Sequence, residues 1–183
     1  WQTAKDATVF ALAVQIRTCN VCGYKETRNN GKKLAATMKV NAVKLPLKIK
    51  QKTTVLKVSG LANGDSVASW KSGNTQVVKV SGKPNGTCTL VAGRKKGKTT
   101  ITIILKSGLK KKITITVQKA AVKTSKITGM PKNLKLKKNQ TVTLKAAAAP
   151  LTSLQKLKYK SSNKKIVTVT SKGVVKAKKK GKA

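Results

Sequence analysis

The sequence predicts an all-β protein, two tandem β-sandwiches behind a small N-terminal module, with the second sandwich incomplete. Three observations carry this reading. A long phrase repeats at a fixed offset, apolar and polar residues alternate with period two, and turn-forming residues recur at matching places in both copies. The expected boundaries are 1–38 for the module, 39–118 for the first sandwich and 119–183 for the second.

The repeat is long. Trp70-Lys71-Ser72-Gly73-Asn74-Thr75-Gln76-Val77-Val78-Lys79-Val80 returns 89 residues later as Tyr159-Lys160-Ser161-Ser162-Asn163-Lys164-Lys165-Ile166-Val167-Thr168-Val169. At the same offset Leu45, Leu47, Gln51 and Val55 fall on Leu134, Leu136, Gln140 and Leu144. Further along, the run from Leu90 to Lys98 is matched to the run from Val174 to Lys182, after five extra residues in the first copy. Such self-similarity marks tandem copies of one structural unit.

Each element follows from its pattern. The Leu-rich run around Leu45 and Leu47 opens the first copy, and Lys48, Lys50 and Lys52 are read as its solvated face, guarding an edge against other chains. Trp70 and Tyr159 recur at one register and are expected as the large central-strand core residues, since the chain is only 3% aromatic. Asn74 and Asn163 sit where a turn should start, and their side chains can bond nearby backbone. Thr99-Thr100-Ile101-Thr102-Ile103 and Lys112-Ile113-Thr114-Ile115-Thr116-Val117 alternate with period two, the mark of half-buried antiparallel strands. Gln118-Lys119-Ala120-Ala121-Val122-Lys123 is a short linker.

The order of these elements resembles the bacterial immunoglobulin-like domain, group 2. The likeness rests on the Leu-rich opening strand, the aromatic-Lys-Ser-x-Asn phrase, Val-x-Val, the Lys-Lys-Gly-Lys run and the Thr-Ile-Thr-Ile strand. It covers 40–118 once and 123–183 again. The resemblance implies an Ig-like β-sandwich used for display, spacing or adhesion on bacterial surfaces, with no shared catalytic residues.

Residues 1–38 carry Arg17-Thr18-Cys19-Asn20-Val21-Cys22-Gly23-Tyr24-Lys25-Glu26-Thr27-Arg28, a Cys-x-x-Cys-Gly knuckle. Thiolate pairs at this spacing commonly supply half of a four-ligand zinc site. The chain has no His, and its third cysteine, Cys88, falls in an expected strand of the first sandwich. Cys19 and Cys22 are thus at most half a metal site, and a disulfide or two free thiols stay open. No other cofactor is expected. The segment also resembles small modules found beside such Ig-like domains in Gram-positive surface proteins. That likeness implies a further Cys near Val9 and metal-capable residues before Trp1. The apolar stretch from Ala7 to Val14 is far too short to span a bilayer and reads as a strand.

Charge dominates the surface. Forty-two Lys and Arg stand against Asp6, Glu26 and Asp65, for a net +39. A field of this size keeps copies apart and attracts polyanions at low salt. Much of it is explained by the solvated faces of strands, and specific nucleic-acid reading is disfavoured because stacking aromatics are scarce. Acid–base catalysis needs His, Asp or Glu tuned near neutrality, and no acid follows Asp65. Calcium sites and acid-assisted Lys–Asn crosslinks are excluded from the second copy on the same ground. An enzyme is not expected.

The second copy runs 24 residues from Tyr159 to Ala183, whereas the first runs 47 from Trp70 to Val117. It therefore lacks the counterparts of about two strands, supplied by a longer parent chain or by strand donation from a neighbouring copy, with the stretch from Thr8 to Val14 as donor. The functional expectation is a non-catalytic structural or adhesive segment of an extracellular bacterial surface protein. Its partners would be polyanionic cell-wall or glycan polymers, and possibly other copies of itself. A filament or phage subunit built by strand exchange, and a general polyanion- or nucleic-acid-binding module, are the alternatives.

Overall fold

A computed structural model describes all 183 residues, and the chain is all-β with no helix. It forms two compact units, Trp1–Lys119 and Ala120–Ala183.

Unit 1 begins with an antiparallel sheet of β1 (Gln2–Lys5), β2 (Ala13–Thr18) and β3 (Lys25–Asn30), in the order β1-β2-β3. The expected strand over Ala7–Val14 forms only at its end. Thr8 Oγ1 accepts the N–H groups of Phe10 (3.1 Å) and Ala11 (2.9 Å), and Val9 N–H donates to Asn63 O at 3.1 Å. A threonine-led turn has outcompeted the apolar run, as short polar side chains do when they bond their own backbone. These bonds tie the stretch into its own chain.

The sandwich of unit 1 uses β4 (Lys39–Val40), β5 (Lys44–Lys48), β6 (Lys52–Thr53), β7 (Val58–Ser59), β8 (Val67–Ser72), β9 (Val78–Gly82), β10 (Cys88–Ala92), β11 (Gly97–Leu105) and β12 (Lys110–Gln118). One layer is β5-β12-β11-β8, and the other is β6-β10-β9, with β4 on β7 beside it. All pairings are antiparallel except β5 with β12, where Leu45 lies opposite Ile115 and Leu47 opposite Val117. The alternation seen in 99–103 and 112–117 becomes alternating burial along β11 and β12. Leu45, Leu47, Leu56, Val78, Leu90, Ile101, Ile103, Ile113 and Ile115 form the dry centre. At roughly 1.5–3 kcal/mol for each fully buried aliphatic side chain, this cluster is the main stabilising term.

Trp70 departs from expectation. It is half-buried rather than part of the dry centre, because β8 is the edge of its sheet. Its ring lies against Gly82 at the end of β9, where an added Cβ would sit 2.0 Å from the indole. Trp70 therefore closes the side of the sandwich between two edge strands, and Gly82 makes room for it. Tyr159 is likewise half-buried and packs on a hairpin glycine, Gly173.

Unit 2 contains β13 (Lys126–Thr128), β14 (Thr141–Thr143), β15 (Ala147–Ala149), β16 (Val167–Val169) and β17 (Val174–Ala177). The pair β13-β15 repeats β4-β7, and the sheet β14-β17-β16 repeats β6-β10-β9. The layer β5-β12-β11-β8 has no counterpart. Residues 133–137 and 156–160, which align with β5 and most of β8, are unpaired. Within the 183 residues neither β11 nor β12 has an equivalent, so those segments lack the strands that would take up their main-chain bonds.

The structure also corrects the downstream register. Val80 pairs with Leu90, whereas its counterpart Val169 pairs with Val175, so the second hairpin is four residues shorter, not five. Leu90 therefore corresponds to Val175 and Ala92 to Ala177, and all four are buried. A slip of one would turn Val175 and Ala177 to solvent and Lys176 inward, which the period of two forbids.

Candidate functional site

Two features are candidates: the dithiol turn between β2 and β3, and the cationic surface.

The β2–β3 hairpin places Arg17 opposite Glu26 and Thr18 opposite Lys25, leaving 19–24 as the turn. Cys19 N–H donates to Tyr24 O at 2.8 Å, and Gly23 N–H returns to Cys19 O at 3.0 Å. Gly23 sits at φ +69, a left-handed conformation that its missing Cβ permits and that closes the turn. Cys19 and Cys22 are both exposed, unbridged thiols. The Cys19 thiol is held below its ordinary pKa by hydrogen bonds from the N–H of Cys22, then of Val21, and by the Cys22 side chain. Bonds to the charged form favour the thiolate, which is the metal-ligating and nucleophilic species.

A shallow hollow beside the turn is lined by Arg17, Thr18, Cys19, Tyr24 and Glu26. Arg17 and Glu26 form an ion pair, so the one nearby carboxylate is already engaged. Trp1 lies under two guanidinium groups, with Arg17 Cζ at 4.9 Å and Arg28 Cζ at 4.2 Å from the ring centroid. Sequence reasoning missed this cluster. The signal was there, since Arg17, Glu26 and Arg28 alternate onto one face once the hairpin is folded about Cys19–Cys22.

No group of three or more His, Cys, Asp or Glu side chains comes together anywhere. Cys88 is buried, offers its Sγ to Leu56 O at 3.6 Å, and has its pKa pushed up to about 11 by burial. It is a small apolar core residue with an inert thiol.

The lysines are where the strand pattern puts them. Every lysine except the half-buried Lys111 is exposed, and Arg17–Glu26 is the one ion pair of the molecule. Asp65 is committed elsewhere. Partial burial pushes its pKa up, but the Ser107 hydroxyl at 2.6 Å and the N–H groups of Ser66 and Ser107 outweigh it and hold the carboxyl below its ordinary value.

Asn74 and Asn163 are structural in both copies. Asn74 Oδ1 accepts Gln76 N–H at 2.9 Å and Asn163 Oδ1 accepts Lys165 N–H at 3.0 Å. Gln51 and Gln140 also match, each bonding the backbone N–H three residues earlier, at 2.7 Å and 2.8 Å.

Two layers closed by a parallel pairing of the first long strand with the last define an Ig-like β-sandwich. Residues 121–183 match the family model of the bacterial Ig-like domain (group 2). No curated protein matches the chain. Solved structures that resemble it include domains 4 and 5 of the S-layer protein SbsC, at 23% identity and a TM-score of 0.40, covering 51% of this chain and 58% of that one. Domains 1–6 of SbsC match at 19% identity and a TM-score of 0.43, covering 84% of this chain and 23% of that one. Domains 4–9 match at 18% and 0.42, covering 90% and 30%. No helix is long and apolar enough to cross a membrane.

Proposed function

We propose that this chain is a non-catalytic structural segment of a bacterial surface protein, spacing or displaying other parts and docking to polyanions through its lysine surface. The observation that carries the reading is the unneutralised coat. Forty-two basic residues face three acids, and one ion pair consumes a single arginine. The Ig-like architecture supports a mechanical role, since its core is apolar and its polar groups serve turns and strand ends. The sequence has no His, and Glu26 and Asp65 are engaged by Arg17 and Ser107, which supports a non-catalytic reading. The polyanions that fit are cell-wall or glycan polymers rather than a defined nucleic-acid sequence, because exposed rings are few, Phe10 and Tyr24 lying outside the strands and Trp1 being stacked with Arg17 and Arg28.

The test is binding to heparin, teichoic acid and DNA across a salt series. Affinity should be measurable at low salt, fall steeply as salt rises, and differ little between ligands of equal charge density. Absence of binding at low salt would reduce the lysines to a solubility coat and leave only the spacing role.

A further inference from the structure

We propose that the outer face of the sheet β5-β12-β11-β8 is the binding surface for a linear anionic glycan, one whose sugars carry acidic substituents. The assignment rests on the polyanion reading above and gives it a place. Alternate residues of these strands face the core, so the ladder fixes what lies on the other side. Thr102 pairs with Lys71 on one flank and Lys112 on the other. One row along, Thr114 pairs with Thr100 and Lys44, and one row further Thr116 pairs with Lys98 and Pro46. Lys110, opposite Ile104, and Lys48, opposite Gln118, close the two ends. The threonines thus form a hydroxyl-bearing centre ringed by lysines. Each of these lysines is exposed, as is Thr116, while Thr100, Thr102 and Thr114 are half-buried. With neighbouring strands about 4.8 Å apart, Lys71 and Lys112 stand about 10 Å apart at their Cα atoms, on either side of Thr102.

The chemistry of the face matches a charged sugar polymer. A threonine hydroxyl both donates and accepts, as a sugar hydroxyl does, so the centre can exchange bonds with the sugar ring. The lysines put mobile point charges where acidic substituents would project. No acid occurs on any of the four strands, and Asp65, just before β8, is held by Ser107.

Other occupants fit less well. Trp70, the aromatic residue of these strands, pairs with the buried Ile103 and so sits on the opposite side, leaving no ring on which a base could stack. A second copy of the chain carries the same charge, and lysine is depleted from the cores of protein interfaces. The other layer of the sandwich offers a different surface. There Lys52 and Lys79 flank Val91, which is 38% exposed, so charge surrounds an apolar centre instead of hydroxyls.

The experiment compares two variants of equal net charge in the 183-residue chain. One carries Lys44→Gln, Lys71→Gln, Lys98→Gln and Lys112→Gln together; the control carries Lys52→Gln, Lys57→Gln, Lys79→Gln and Lys83→Gln, all outside the four strands of the face. Heparin is the glycan probe, with polyphosphate and single-stranded DNA beside it. The face variant should lose about tenfold in heparin affinity at low salt, its salt slope falling by about one for each contacting lysine removed, and the control about twofold. Thr102→Val with Thr114→Val should weaken heparin about threefold and leave polyphosphate unchanged. Circular dichroism checks folding, and Lys71→Gln and Lys112→Gln made singly give the same readout should the fourfold variant unfold. Equal losses in the two fourfold variants overturn the assignment while leaving general polyanion docking intact, whereas no binding by the unaltered chain overturns both. The glycan assignment also falls if the valine changes act alike on heparin and polyphosphate, or if the face binds DNA more tightly than heparin.

Discussion

Leu45 and Leu134 hold the same place in a repeated sequence, yet Leu45 is 2% exposed and Leu134 is 43% exposed. Leu45 lies in a strand that runs parallel to β12 and faces Ile115 across the ladder. Leu134 lies in a segment with no ladder partner. The local sequences are close, with Leu-Pro-Leu-Lys in one and Leu-Lys-Leu-Lys in the other, so propensity does not explain the difference. The partner strand does. β-structure is measured by what lies across the ladder and under the face more than by the residue itself.

The half of the fold that is shared shows the converse. The sheets β6-β10-β9 and β14-β17-β16 use the same register, the same Asn-led turn and the same Gln bond. Even the backbone conformation before that Gln recurs, with Lys50 at φ 61 and Asn139 at φ 63. Where both partners are present in the chain, the two copies fold alike.

The strongest way to break the comparison is to truncate the matched leucines. Leu45→Ala should destabilise unit 1 by about 2–5 kcal/mol, the cost of emptying a fully buried site. Leu134→Ala should stay within about 0.5 kcal/mol, as an exposed side chain has little packing to lose. Denaturant melts followed by unit-resolved amide signals would measure both, and equal losses would mean that Leu134 is covered in solution.

A smaller effect should be shared by the two units. Asn74→Ala removes the bonds of its Oδ1 to the N–H groups of Gln76 and Val77, Asn163→Ala removes the one to Lys165 N–H, and each should cost about 1 kcal/mol in its own unit. A loss confined to unit 1 would show that the second turn is held by something other than Asn163.

The smallest effect belongs to unit 1 alone. Asp65 has a folded pKa below its ordinary value, so its contribution is fully present above the ordinary carboxylate range and is lost as pH falls through the folded value. Acid titration of unit 1 should therefore show a shallow loss of stability below about pH 4 that Asp65→Asn removes. Unit 2 has no carboxylate side chain and should lack this component.

Much of this was legible beforehand. The repeat, the strands over 99–103 and 112–117, the two Asn turns and the exposed lysines follow from spacing and alternation alone. The hairpin offset differs by one residue from the sequence match because Val174 and Val175 are adjacent and alike, and only ladder pairing tells which one faces inward. The apolar stretch at 7–14 does not extend into a strand because one threonine hydroxyl captures two backbone donors. Of the dithiol turn, the sequence showed the two cysteines but not the arginines stacked on Trp1, which depend on pairing across the hairpin.

By itself the sequence determined the class of fold, the tandem copies, the basic surface and the local turns, because each is written within a few residues or at a constant spacing. Tertiary structure decided which candidate strands become strands, which valine faces the core, and that Trp70 closes an edge rather than filling the centre. Those outcomes depend on partners far away in the chain. A main-chain N–H or an apolar side chain is satisfied only by what is brought against it, and a local pattern does not contain its own partner.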